Sequence, residues 1–463
     1  MADAQAKFLT GNLFRHVSTM SLAASIGLMA IFAVDFIDMI FISMLGNAAL
    51  AAAVGYAGAI LFFTTSFSIG MAIAAGALVA RALGSGEHLT ASRRAATALL
   101  YGIVFGSLFA ALVWLNLARL VDLLGATGAT ADLAVNYLQI IIPTLPVMTA
   151  GMIGGAILRA HGDARRSMMA TIIAGVVNAV LDPILIFGLD MELTGAALAS
   201  VAARFAMAYA SLAPVVRHYG GFDKPTSAEF RIDFPVIMGI AFPAILTQFA
   251  TPLGQAVVTR SMAEFGEAAV AGMAIIGRLT PVAFGVIFAL SGAVGPIIGQ
   301  NFGANQHDRV RGAFNAAVIF VGIFVVAMTL LLFLVRGPIA AVFQADGITL
   351  ELLFLFCGPL ALAFFFNGLL FIANAAFNNL NHPFYSTWLN WGRHTLGTIP
   401  FVLLGAAWFG APGVLIGQAA GGVIFGLLAW ALAARIMGKD HDPKPKDLFA
   451  RQGRQLSLFH HRR

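Results

Sequence analysis

The sequence predicts an all-α polytopic membrane protein, with twelve transmembrane helices in two six-helix bundles related by a pseudo-two-fold axis around a central cavity. Three observations carry that expectation. Hydrophobic residues make up 60% of the 463 positions and charged residues only 10%, against roughly a quarter charged in an ordinary soluble domain. Apolar stretches of the ~20 residues, at ~1.5 Å each, that cross a hydrocarbon core fill nearly the whole chain. Basic residues gather in alternate loops, and the two halves of the chain resemble each other.

The run from Met1 to His16 is polar, with Asp3, Lys7 and Arg15, and no small-residue cleavage pattern follows the first apolar segment, which therefore reads as a retained helix. The first six spans centre near Ile31, Phe67, Phe105, Met148, Ala179 and Met207, and the second six near Leu246, Phe284, Phe324, Phe364, Gly397 and Leu427. Gly, Pro, Asn or charged residues bound each one. This divides the chain into an amino lobe at 1–216, a charged cytoplasmic linker at 217–234, a carboxyl lobe at 235–437 and a polar cytoplasmic tail at 438–463. Of the 27 Lys and Arg, 21 fall at the amino terminus, after even-numbered spans or in the tail. Arg119, Arg260 and Arg336 lie on the opposite side, and Arg204, Arg278 and Arg393 lie within spans. The positive-inside rule then places both termini in the cytoplasm of a bacterial-type inner membrane, and an odd number of spans would break the alternation. The net charge of +6 is accounted for by topology. It forms no stripe of the kind that binds nucleic acid. Cys357, alone in an apolar run, has no partner for a disulfide or metal cage and reads as a packing residue.

At a shift of about 220 residues the halves align. Leu45-Gly46-Asn47-Ala48-Ala49-Leu50 is answered by Phe265-Gly266-Glu267-Ala268-Ala269-Val270, and Leu83-Gly84-Ser85-Gly86-Glu87-His88 by Phe302-Gly303-Ala304-Asn305-Gln306-His307. Thr194-Gly195-Ala196-Ala197 matches Pro412-Gly413-Val414-Leu415 at the start of each sixth span. Because six spans separate the copies, they share one orientation and relate by an axis along the membrane normal, an arrangement suited to a cavity that opens to either side in turn. Compositional likeness of Gly-Ala-rich helices is the competing reading, and the matched loop spacing argues against it.

A carboxylate at mid-membrane costs at least ~2.5 kcal/mol on insertion scales, so each intramembrane acid needs a reason. Asp35 and Asp38 in span one stand three apart on one helix face, and Asn178 and Asp182 in span five stand four apart. Pro183 crowds the carbonyl one turn earlier and cannot bond to it, which frees an oxygen near Ala179. These oxygens suit a proton or a sodium ion. In the competing reading, the acids merely pair with Arg204 in span six. The second half has no comparable acids; its candidates for lining a substrate cavity are Gln248, Gln255, Phe364, Asn367, Phe371 and Asn374.

Four segments taken together resemble the multidrug and toxin extrusion (MATE) family over residues 10–437, most closely its DinF-like branch. They are Ile37-Asp38-Met39-Ile40-Phe41-Ile42, Arg159-Ala160-His161-Gly162-Asp163, Asn178 with Asp182-Pro183, and Gly195-Ala196-Ala197-Leu198-Ala199-Ser200. The resemblance implies a cation-coupling site of Asp38, Asn178, Asp182 and Ser200, with serine where threonine is more usual. It implies a coupling ion, H+ or Na+, no other cofactor, and no enzymatic activity. Many members carry a proline early in span one, where this chain reads Ser21-Leu22-Ala23-Ala24-Ser25. A bend at that proline is not available here.

The function so implied is secondary active antiport: export of organic, cationic or amphipathic small molecules against protons or sodium ions, by a monomer whose other partner is the lipid bilayer. A flippase for a lipid-linked saccharide is one alternative; its pyrophosphate substrate calls for uncompensated Arg or Lys in the cavity. A non-transporting scaffold or sensor is another, and it would need no paired intramembrane acids. Neither a His-Glu-x-x-His helix nor a nucleophile elbow is present to suggest an intramembrane enzyme.

Overall fold

The computed structural model describes residues 6–439, and every regular element among them is helical. The amino lobe comprises α1 (Leu13–Met44), α2 (Ala48–Gly84), α3 (His88–Leu115), α4 (Gly128–Ala160), α5 (Ala164–Gly188) and α6 (Glu192–His218), with a short helix, Leu117–Leu123, between α3 and α4. The carboxyl lobe follows with α7 (Ser227–Ala263), α8 (Glu267–Gly303), α9 (His307–Val342) and α10 (Gly347–Asn379). The tail expected beyond Gly438 lies, from residue 440 on, outside the described residues.

The last two spans need an argument, because helical structure runs unbroken over Ile399–Lys439. Gly410 interrupts it with φ 64° and ψ −144°, a conformation that reverses the chain. On either side the backbones touch: Gly405 lies against the carbonyl of Gly413, Gly417 against that of Phe401, and Gly421 against that of Gly397. A methyl group at any of these positions would strike a carbonyl. The chain therefore forms a tight antiparallel pair, α11 (Pro383–His394, resuming at 399–409) and α12 (411–439), and the count of spans is twelve. Small residues permit the approach, as they commonly do between helices in lipid. The expected centre of span eleven, Gly397, falls in the break between His394 and Ile399.

Backbone detail supports the repeat. α2 and α8 are each 37 residues long, and α4 and α10 each 33. Left-handed residues recur at matched turns: Gly46 and Gly266, Gly86 and Asn305, Gly128 and Gly347, Gly162 and Asn381. Only Gly and, less readily, Asn adopt that conformation without a steric cost, so composition alone does not explain the match.

The lobes exchange their first helices at the end of the molecule that carries the basic loops. Val17 and Met20 of α1 are buried in the carboxyl-lobe core, whereas Ile237, Ile240 and Ala241 of α7 are buried with α2, α3 and α4. α7 starts at Ser227 under a capping box made by Thr226 and Glu229, so the ordered helix begins inside the stretch read from sequence as linker. Arg93 of α3 fixes that start through ion pairs to Glu229 (3.0 Å) and the buried Asp233 (3.4 Å).

Candidate functional site

Two places gather polar groups inside the bundle. The first lies in the amino lobe, where Val34 of α1 packs against Gly175 of α5, a position at which a side chain would crowd it. That approach carries Asp38 to Asp182, so that the two carboxyls lie within interaction reach of each other. One oxygen of each, Oδ1, has no hydrogen-bond partner. The Asn178 amide donates to Oδ2 of Asp182 at 3.3 Å. Asp182 is wholly buried. Pro183 keeps helical angles (φ −63°, ψ −30°), and α5 widens just after it into a π turn at Ile184–Gly188.

The remaining expectations for this site divide. Ser200 of α6 is half-buried and bonds the hydroxyl of Tyr137 from α4, so it joins the cluster through a residue that the sequence reading missed. Tyr137 is buried within electrostatic reach of Asp38, Asp182 and Arg204. An aromatic residue in an apolar helix gives no sequence signal; only a polar neighbour brought by folding reveals it. Asp35 does not join the cluster: its side chain is exposed, and its charged neighbour is Asp38. Arg204 does not neutralise the acids. It donates instead to the Ile141 carbonyl (3.0 Å) and the Thr144 hydroxyl (2.9 Å), in the tightened turn of α4. Among the described residues no group of three or more His, Cys, Asp and Glu forms a metal centre, and the ligands on offer here are oxygens alone.

The second place is a cavity of about 350 Å³ between the lobes, walled by α1, α2, α4, α5 and α6 on one side and α7, α8, α10 and α11 on the other. Of the six residues expected to line it, Gln248, Phe371 and Asn374 do so. The other three lie off its wall. Phe364 stacks face to face on Phe284 at 3.9 Å in the carboxyl-lobe core, Gln255 accepts from Gln418 at 3.2 Å, and Asn367 packs against Gly422 of α12. Asn378, a polar residue of the second half also legible as lining, lines it too, and lining residues that the sequence did not single out for the cavity are Arg159, Ser167, Asn379 and Ser386. Arg159 reads in sequence as a loop residue, yet it ends α4 and points inward. No Asp or Glu lines this cavity.

The cavity is closed at the basic end. Gly84 lies against the backbone of Gln300 and Gly303 against that of Arg81. Arg81 donates to Asn381 and to the Asn378 carbonyl. Gln300 donates to the Ala160 carbonyl (2.7 Å) and accepts from the Phe8 N–H (2.8 Å).

A family model described as MatE matches residues 23–184 and 243–401. A Shewanella oneidensis protein described as an FAD transporter is 29% identical over 92% of this chain and 96% of its own. The multidrug export protein MepA of Staphylococcus aureus is 24% identical over 73% of this chain and 76% of its own. Among solved structures, the Vibrio cholerae MATE transporter VcmN superposes with a TM-score of 0.87 at 24% identity, covering 93% of this chain and 98% of VcmN. The fold is shared with that transporter.

Proposed function

We propose, from the premise that the chain belongs to the MatE family of membrane transporters, that it is a secondary active antiporter exporting organic compounds in exchange for protons or sodium ions. The observation that carries this reading is the contact between the Asp38 and Asp182 carboxyls in a wholly helical, apolar bundle. Such a pair is costly in lipid and useful only if its occupancy changes. A proton or sodium ion held there alters the charge between α1 and α5, and α1 reaches from that site into the carboxyl-lobe core at Val17 and Met20. Ion loading is thereby linked to the relative position of the lobes. In this scheme the basic end faces the cytoplasm of the inner membrane, in keeping with the positive-inside rule. Opening toward the cytoplasm requires the Gly84–Gln300 and Gly303–Arg81 contacts and the Arg81 bonds to α10 and its loop to break together.

The relatives' names, one for FAD and one for multidrug export, fit export of organic molecules and differ on which kind. A scaffold or sensor has no use for two adjacent acids inside an apolar bundle. The test is efflux from proteoliposomes driven separately by a pH gradient and by a sodium gradient. Wild type should respond to at least one, and Asp38→Asn and Asp182→Asn should respond to neither while eluting as folded protein. Undiminished gradient-driven efflux by both variants overturns the reading.

A further inference from the structure

The floor of the inter-lobe cavity is built from matched positions of the two lobes. Arg159 is the second-last residue of α4 and Asn378 the second-last of α10; Ser167 is the fourth residue of α5 and Ser386 the fourth of α11. All four line the cavity. The guanidinium of Arg159 donates to the Ser167 hydroxyl at 2.7 Å, and its Nε and Nη2 lie beside Gly292. No acid pairs with it among the described residues, and none lines the cavity. Ser386 is 1% exposed with its hydroxyl unpartnered, and Asn378 is 3% exposed with its side-chain oxygen unpartnered.

An uncompensated cation inside a bundle is as costly as an uncompensated acid, and unpartnered buried polar groups add to the cost. A ligand that brings negative oxygens satisfies both the Arg159 guanidinium and the Ser386 hydroxyl, the two groups here that can donate. A carboxylate offers two oxygens, whereas a phosphate offers three or more, which better suits an arginine fork together with a hydroxyl. The remaining wall is apolar, with Phe288 and Phe371 in an edge-to-face pair at 5.8 Å, Ile69 and Met207.

We propose that Arg159 and Ser386 form an anion subsite on the cavity floor that holds the phosphate group of an organic substrate whose apolar or aromatic body lies against Phe288 and Phe371. This rests on the export reading above, and it replaces the cationic substrate expected from sequence with an anionic one. The phosphate can belong to a soluble metabolite or to a lipid-linked sugar, since the subsite contacts only the shared group.

Riboflavin and FMN share a ring system and differ by one phosphate, so their binding to the purified full chain in detergent isolates the subsite. FMN should bind at least tenfold more tightly than riboflavin. Arg159→Gln should remove that preference and leave riboflavin binding unchanged, and Arg159→Lys should keep part of it, because a point charge lacks the fork. If Arg159→Gln does not purify, Ser386→Ala carries the test and should weaken FMN several-fold without affecting riboflavin. Failure of FMN to out-bind riboflavin, whether both bind or neither, overturns the proposal, as does an unchanged preference in the variants. Export of FMN from proteoliposomes supports a soluble substrate; translocation of a fluorescent prenyl pyrophosphate supports the same subsite with a lipid-linked one. Binding is read with no gradient imposed, so its failure leaves ion coupling standing. Loss of coupling with FMN binding intact leaves the subsite standing.

Discussion

Val258 stands in α7 at the same distance before its loop glycine as Asp38 does in α1, and Phe356 holds in α10 the place of Tyr137 in α4. Where α5 carries Asn178 and Asp182, counting from its start, α11 carries Gly397 and Phe401. The duplicated backbone thus supports an oxygen-lined cluster in one lobe and an aromatic core in the other, with Phe284, Phe314 and Phe377 fully buried. The difference teaches that the repeat fixes where helices run and where they turn, while a few side chains decide which lobe can change its charge. On the cavity floor both lobes contribute polar groups from matched positions.

The sharpest way to break this comparison is to challenge the two lobes at equivalent sites. Asp182→Asn should reduce gradient-driven efflux about a hundredfold or more, whereas Val258→Ala, at the place matching Asp38, should leave it within about twofold per folded molecule. Equal losses in the two variants would erase the asymmetry. Packing is the next largest difference. Phe284→Ala removes the partner of Phe364 and should destabilise the protein by about 3–4 kcal/mol, seen as an earlier thermal unfolding transition in detergent, with the ion response retained in what remains folded.

A smaller effect tests the residue missed in sequence. Tyr137→Phe gives the amino lobe the aromatic ring of its counterpart and cuts the hydroxyl bond to Ser200; efflux should fall about five- to tenfold, with little change in unfolding temperature. If efflux is unchanged, Tyr137 is packing alone.

The smallest effect concerns the turn before α5, outside the spans. Burial pushes the Asp163 carboxyl up, but the Arg166 backbone N–H, the Tyr219 hydroxyl (2.7 Å) and the Arg166 guanidinium (2.6 Å) outweigh it and hold the group below the usual carboxylate range. A depressed native value contributes stability that is present above the unfolded value of about 3.9 and is lost as pH falls through the native one. Asp163→Asn should therefore cost about 0.5–1 kcal/mol at pH 7, discounted for the exposed Arg166, and the gap to wild type should close below about pH 4. A gap independent of pH would assign the loss to the turn's geometry and not to its charge. The corresponding turn of the carboxyl lobe has His382 in place of Asp163.

What the sequence by itself determined is whatever lies within one window of about twenty residues: the number of spans, their alternation, and the acids that are out of place in them. Insertion into a bilayer is decided segment by segment, so those features survive without knowledge of the fold. Asp38, Asn178 and Asp182 were legible for the same reason, since polar groups in an apolar run stand out locally. What only the tertiary structure decided is which side chains face one another. The placement of Tyr137 beside the acids, the turn of Arg159 into the cavity, the exclusion of Phe364, Asn367 and Gln255 from its wall, and the exchange of α1 and α7 between cores all depend on the rotation of each helix about its axis. That rotation is set by close approaches between remote segments, such as Val34 on Gly175 and Gly405 on Gly413, where the absence of a side chain on one helix matters only because of what another helix brings to it.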